Sequence, residues 1–512
     1  MKKKRLLVNL ISNIISFILQ MAINFILTPI IVEKVGDAAY GFIGLANNFV
    51  SYANIFTIVI NSMASRFITL ELTRGKEEEA NKYYSSVLIL DVLMSLVVAI
   101  ASAIVIFNLH SILNIPTELT IDVKITFIIA FINLILSIMN TVYTVATFAK
   151  NRLDIDAIRN IVGNIIKAIF LIIVFSILTP KIYYITLGGL IYTLFAILVN
   201  IKITKKIAPE LKYDKKLYSI DKVKILAKSG IWNSLNSLSR MLLTGLDLLI
   251  ANIFVGAEAM GILSIAKTIP TSIETLLGAV ANIFSPQFII LYSQHKIKEL
   301  VKSVNFSLKV VGLLMIVPIA GFIAFGTEFY TLWLPTKTAQ EIKQIQILSV
   351  LSLLPYLISV SNYTLSILDS TTNKLKRPVI VTMIMSIAST VTTLILLKTT
   401  NLGIYAVAGV SSIYWCIKVF LFNTINAAKN LRIKWNTFFN QFLKNLLCFS
   451  IIITMFICVN HLLVLNTWKN FMLAISVMGT VGYIVSFYIL LQKNERKQIY
   501  NMINNIIKTK MK

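Results

Sequence analysis

Fourteen apolar stretches, most of them long enough to cross the hydrocarbon core of a bilayer, recur along the 512 residues and decide the fold class before any single residue is read. They fall at about 8–32, 41–65, 84–107, 125–148, 160–179, 183–201, 229–254, 260–290, 305–326, 346–368, 378–397, 404–424, 442–463 and 470–491. Lipid offers no hydrogen bonds to a peptide group, so a run of this length must satisfy its own backbone as a helix. With 57% hydrophobic and 14% charged residues, against about 25% charged in soluble domains, little of the chain is left for a soluble domain. The reading is an all-α polytopic membrane protein with 14 transmembrane helices. Its start, Met1-Lys-Lys-Lys-Arg5 followed by an apolar run, imitates a signal peptide. That run is too long for a signal h-region and lacks a small-x-small site before Glu33, so it reads as an uncleaved first span.

The balance of 48 Lys+Arg against 22 Asp+Glu is explained by where the cations sit. Counting alternate inter-span segments from the N-terminus, 37 fall in one set and 7 in the other, with four inside spans. Lys and Arg accumulate on the cytoplasmic side. The alternation therefore predicts both termini in the cytoplasm of a bacterial cell, in its cytoplasmic membrane, and no nucleic-acid partner. Cys416, Cys448 and Cys458 lack paired spacing, and the three histidines are scattered, so no metal or other cofactor is expected.

An internal repeat sets the architecture. An offset of 220 residues places Val35-Gly36-Asp-Ala-Ala39-Tyr-Gly41-Phe-Ile-Gly-Leu-Ala46 over Val255-Gly256-Ala-Glu-Ala259-Met-Gly261-Ile-Leu-Ser-Ile-Ala266, with five of twelve positions identical. The same offset pairs Asn13 with Asn233, Met21 with Met241 and Ser65 with Ser285. Spans 1–6 and 7–12 thus form two parallel six-helix repeats, and spans 13 and 14 are an appendage. The predicted division is 1–220, 221–425 and 426–512. Two such lobes enclose a central cleft, which is the architecture of a transporter.

Charges inside spans are costly and belong where they face protein or water. Arg240 and Asp247 on span 7, and Lys267 and Glu274 on span 8, are each spaced i, i+7 with a threonine between, which predicts a polar stripe on each helix. In an antiparallel hairpin, Arg240 would lie level with Glu274 and Asp247 with Lys267. One reading is two ion pairs that hold the hairpin. The other is the wall of a wet cleft, with Arg240 and Lys267 open to an anionic substrate and Asp247 and Glu274 coupling an ion or competing for the cations. The first repeat carries Gln20, Asn47 and Asn54 at the places of Arg240, Lys267 and Glu274, and Asn24 extends the stripe on span 1. Interhelical hydrogen-bond glue is the other account of those amides. Lys167, Lys418 and Asp91 are secondary candidates, predicted about 10 Å from cytoplasmic span ends, a distance a lysine stem nearly covers by snorkelling.

Thr28-Pro29-Ile-Ile-Val32, Val35-Gly36-Asp-Ala-Ala-Tyr40-Gly41 and Ser65-Arg66-Phe67, before a charged loop with Glu71, Arg74-Gly75 and Glu77-Glu78-Glu79, together carry a family pattern. The chain resembles the oligosaccharide (Wzx-like) flippases of the multidrug/oligosaccharidyl-lipid/polysaccharide exporter superfamily. The resemblance implies alternating-access movement of an undecaprenyl-diphosphate-linked oligosaccharide across the cytoplasmic membrane, for capsule, exopolysaccharide or O-antigen synthesis. It implies that spans 1, 2, 7 and 8 line the cavity, that spans 13 and 14 resemble the lipid-tail groove of peptidoglycan lipid II flippases, and that no residue is catalytic. Membrane lipids and the polysaccharide polymerase machinery are the implied partners, and a proton, sodium or the membrane potential the implied driving force. A lipid II flippase and a cation-coupled multidrug antiporter of the same superfamily are the alternatives. A membrane enzyme fits poorly, because the longest outer loops, 108–124 and 327–345, lack clustered His, Asp or Glu.

Overall fold

The computed structural model describes residues 19, 21–23, 25–150 and 152–496. Among these, no residue lies in a strand, and thirteen helices are long and apolar enough to cross a membrane. They are α1 (Asp37–Thr73), α2 (Glu77–Phe107), α3 (Thr117–Ala149), α4 (Asp154–Ile177), α5 (Tyr183–Ile207), α6 (Ile220–Phe254), α7 (Ala257–Ser293), α8 (Ile297–Trp333), α9 (Ala339–Val360), α10 (Lys376–Thr399), α11 (Ile404–Asn430), α12 (Phe439–Asn460) and α13 (Trp468–Leu490). They correspond one to one with predicted spans 2–14. The first predicted span lies partly outside the described residues, and its described part is helical over 25–35. The all-α polytopic reading therefore holds.

The helices outrun the apolar stretches that announced them. α1 and α8 each hold 37 residues, roughly 55 Å at 1.5 Å per residue, well beyond the hydrocarbon thickness. Their polar ends continue the hydrogen-bond ladder after the apolar pattern stops. Along α2, Leu93, Leu96, Val97, Ile100 and Ile104 are all more than half exposed and recur at three- and four-residue spacing. In a membrane such a face meets acyl chains, so it costs nothing to leave it unpacked.

The repeated Val-Gly step is a repeated turn. Gly36 and Gly256 both have positive φ, 92° and 131°, a region that side chains with a Cβ rarely adopt. Each then accepts from the amide four residues on, Tyr40 and Met260, at 3.1 Å, to open the following helix. One turn further, the equivalent glycines meet each other. A Cβ on Gly41 would lie 2.8 Å from the Gly261 Cα, and one on Gly261 would collide with the Asp37 carbonyl. A Cβ on Gly44 would lie 2.6 Å from the hydroxyl of Ser264, again its equivalent.

The chain divides into two compact units, residues 1–265 and 266–512. In the first, Ile60, Ala64, Ile68, Tyr83, Tyr84, Val87, Val142, Ala146 and Leu226 form a buried core. In the second, α8 is the central post: Leu308, Val311, Met315, Ile319 and Phe325 are buried, with Cys448, Ile452 and Phe456 of α12 in the same core. The last two helices are therefore packed parts of this unit. Asn445 of α12 donates to the Leu308 carbonyl at 3.3 Å, and Asn460 donates to Ala324 O and to the Glu328 carboxylate, both at 3.0 Å.

Gly261→Ala and Gly41→Ala should each destabilise the protein by about 1–3 kcal/mol, since the added methyl meets backbone that cannot swing away. Gly409→Ala, where nothing lies within 4 Å, should be neutral or slightly stabilising. Melting midpoints of the purified protein in detergent check this, and equal midpoints for all three would refute it.

Candidate functional site

In the first unit, α1 and α6 pack closely enough to share hydrogen bonds. Gly230 lies so close beneath the Val59 carbonyl that a Cβ there would collide with it, Ser234 donates to Ile55 O at 2.8 Å, and Asn233 donates to the Ser62 hydroxyl at 3.3 Å. α6 then breaks at Gly245-Leu246, dividing Ile220–Thr244 from Asp247–Phe254. The break releases the Gly245 carbonyl from the helical ladder. Two α1 side chains one turn apart take it over: Asn48 Nδ2 donates at 3.1 Å and the Tyr52 hydroxyl at 2.6 Å.

This break corrects the continuous stripe predicted for span 7. Arg240 lies four residues before the end of one helical segment, its carbonyl accepting from the Thr244 hydroxyl at 3.2 Å, and Asp247 opens the next. Arg240 is half-buried and Asp247 is buried in the first turn, where the helix dipole favours a carboxylate. Asn47 and Asn54 on α1 are exposed; the Asn54 amide oxygen accepts from Thr57 at 2.6 Å. Gln20 and Asn24 lie outside the described residues.

In the second unit, Lys267 and Glu274 are half-buried on one uninterrupted segment, Ala257–Asn282, which contains Pro270. Here the i, i+7 stripe is present as predicted. Thr271 Oγ1 donates to the Lys267 carbonyl at 2.9 Å, and Tyr356 of α9 donates to the Glu274 carboxylate at 2.8 Å.

The helices that carry the three secondary candidates extend past the apolar runs. Asp91, Lys167 and Lys418 lie roughly 18–21 Å along their helices from the helix ends on the predicted cytoplasmic side, which are farther off than the ends of the apolar runs. Asp91 is 2% exposed and held by Asn61 Nδ2 at 3.0 Å, while its other oxygen, Asn61 Oδ1 and Ser95 Oγ are buried without a hydrogen-bond partner. Lys418 is 7% exposed, with its ammonium 4.8 Å from the Trp415 ring centre. It opens a π-helical stretch, Lys418–Asn423. The Lys418 ammonium thus lies over an aromatic ring. Nearby in the fold, Asp369 accepts from Asn426 at 2.8 Å and Asn430 at 2.9 Å.

Lys167 belongs to a polar constellation that the sequence reading passed over. Asn160, Asn164 and Lys167 share one face of α4 at i, i+4, i+7 spacing, the signal that was available. Below them, Arg159 pairs with Asp156 at 2.9 Å and also binds Asn200, whose amide donates to Asn140 at 2.9 Å.

Because either donor alone leaves the Gly245 carbonyl satisfied, Asn48→Ala and Tyr52→Phe should each cost about 1 kcal/mol or less. Together they orphan a half-buried carbonyl, and the double variant should lose about 1 kcal/mol more than the sum. A double-mutant cycle on melting midpoints decides it; simple additivity would mean the break is held by packing.

Comparison with known proteins supplies the family. A model of the family described as polysaccharide biosynthesis protein matches residues 6–288, more than half of the chain. A relative from Bacillus subtilis (strain 168), the uncharacterized membrane protein EpsK, is 26% identical over 492 residues, 96% of each chain. Among solved structures, a multidrug resistance MATE family transporter of the MOP superfamily, in an inward-facing conformation, is similar with a TM-score of 0.66 and 12% identity over 81% of this chain and 95% of that one. The lipid II flippase MurJ, in an inward closed conformation, gives a TM-score of 0.65 and 16% identity over 94% of this chain and 98% of its own. The fold is thus the one these two structures share, and the chain belongs to the polysaccharide biosynthesis protein family, as the resemblance to Wzx-like flippases of the multidrug/oligosaccharidyl-lipid/polysaccharide exporter superfamily implied.

Proposed function

We propose that this multi-pass membrane protein moves a lipid-diphosphate-linked oligosaccharide, carried on undecaprenyl, from the cytoplasmic to the outer leaflet of the bacterial cytoplasmic membrane by alternating access. The family match carries this reading, because it ties a chain with a transporter's fold to polysaccharide biosynthesis. MurJ is by name a flippase of lipid II, and the similarity to it extends over 94% of this chain. The alternation of 37 against 7 cations supports cytoplasmic termini.

In this mechanism the two repeats, 1–220 and 221–425, alternate around the cleft, and 426–512 is the appendage. Arg240 and Lys267 bind the diphosphate; the planar guanidinium suits an oxyanion through two parallel hydrogen bonds. Asp247 and Glu274 compete for those cations or carry a coupling proton or sodium, so the substrate is released when the pairing shifts. Asn47, Asn54, Gln20 and Asn24 offer amides to sugar hydroxyls. Polymerase machinery on the outer face receives the product. No chemical step is assigned to the protein.

Proteoliposomes loaded with a fluorescent lipid-diphosphate-linked oligosaccharide should show protein-dependent flipping, reduced about tenfold or more by Arg240→Ala or Lys267→Ala at equal protein levels. Drug efflux without lipid flipping, lost on neutralising Asp247 or Glu274, would replace this reading with the antiporter.

A further inference from the structure

Within the first unit, Asn133 of α3, Asn160, Asn164 and Lys167 of α4, and Gly189, Tyr192 and Thr193 of α5 line a cavity of about 240 Å³. That is room for about eight waters, or for a headgroup-sized ligand, at depths where an apolar helix face would be the default. Its lining contains no carboxylate. Among the described residues, Lys167 has neither an ion-pair nor a hydrogen-bond partner, and its stem packs along α5, where a Cβ on Gly188 would lie 3.3 Å from Lys167 Cγ. A primary ammonium brings three donors and no acceptor to this space.

The neighbours fix what would complement it. The Asn160 amide oxygen is fully used, accepting from the Tyr192 hydroxyl at 2.9 Å and from Arg159 Nη2 at 2.9 Å. Its NH₂ is therefore turned away from both partners, and Asn160 lines the cavity. Asn133 Oδ1 is buried without a donor. The Asp156 carboxylate is paired with Arg159 at 2.9 Å and is not among the lining residues, so it does not supply the missing anion. Tyr192 is held flat beside Gly163, where a Cβ would lie 2.6 Å from the ring, which keeps the wall in place. The cavity thus combines one cation and amide donors, which suit an oxyanion, with an orphan carbonyl oxygen, which suits a hydroxyl.

We propose that this cavity binds a phosphoester attached to a polyol, the oxyanion on Lys167 and the Asn160 and Asn164 amides and a hydroxyl on Asn133 Oδ1. The site is separate from the residues assigned to the diphosphate above and stands without that assignment. Two sources carry this chemistry, the headgroup of an anionic glycerophospholipid and a sugar phosphate.

The full-length protein in neutral detergent is titrated with dioleoylphosphatidylglycerol, dioleoylphosphatidylcholine, glucose 1-phosphate and glucose, following melting midpoint and bound mass by native mass spectrometry. Saturable binding of phosphatidylglycerol or glucose 1-phosphate, weakened about tenfold in Lys167→Met and retained in Lys167→Arg, supports the site. Phosphatidylglycerol alone identifies the lipid source, and displacement of it by glucose 1-phosphate the sugar phosphate. No binding of either phosphate probe, or equal binding of phosphatidylcholine or glucose, overturns the proposal. Should Lys167→Met fail to fold, Asn164→Ala carries the test: weakened binding supports the site, and unchanged affinity overturns it.

Discussion

In a medium without water, each peptide group must find its partner inside the protein, and this single demand shapes the chain from end to end. It forces helices of 22 residues or more through the apolar stretches, and it makes any interruption conspicuous. The Gly245-Leu246 break is admissible because Asn48 and Tyr52 stand where the released carbonyl appears. The π-helical stretch at Lys418–Asn423 is a second departure, and there the Val419 carbonyl accepts from Asn362 at 3.4 Å. Both departures adjoin buried charge, Asp247 in one case and Lys418 in the other. Irregular backbone and ionisable side chains are thus placed together.

Most of the fold was legible because it is written in long, redundant signals. Thirteen apolar runs became thirteen helices, and the Val-Gly steps at 35–36 and 255–256 became the same turn twice. A run of some 20 apolar residues tolerates many individual substitutions, so its message survives composition bias. The ends were less legible. Where apolar residues stop, the helix continues on polar ones, so the helix ends beyond Asp91, Lys167 and Lys418 lie farther out than the apolar boundaries.

The candidate site was legible in part, for a related reason. Intramembrane charges announce themselves in a sequence, and Glu274 does meet a partner, Tyr356, across helices. Asparagines do not announce themselves. In a chain this rich in them, the 160, 164, 167 face reads no differently from ordinary helix-to-helix bonding until α3 and α5 bring Asn133 and Tyr192 to the same space. The break in α6 was equally silent. A lone glycine near a helix end is common, and only the two donors on α1 show why the chain turns there.

The contact of Gly41 with Gly261, and of Gly44 with Ser264, has a consequence for how this contact tolerates change. In a symmetric dimer, where residue i of one subunit meets residue i of the other in an isologous pair, a substitution enters such a contact twice. Within one chain it enters once. Gly44 and Ser264 use that freedom: one position carries a hydroxymethyl group where the other is bare.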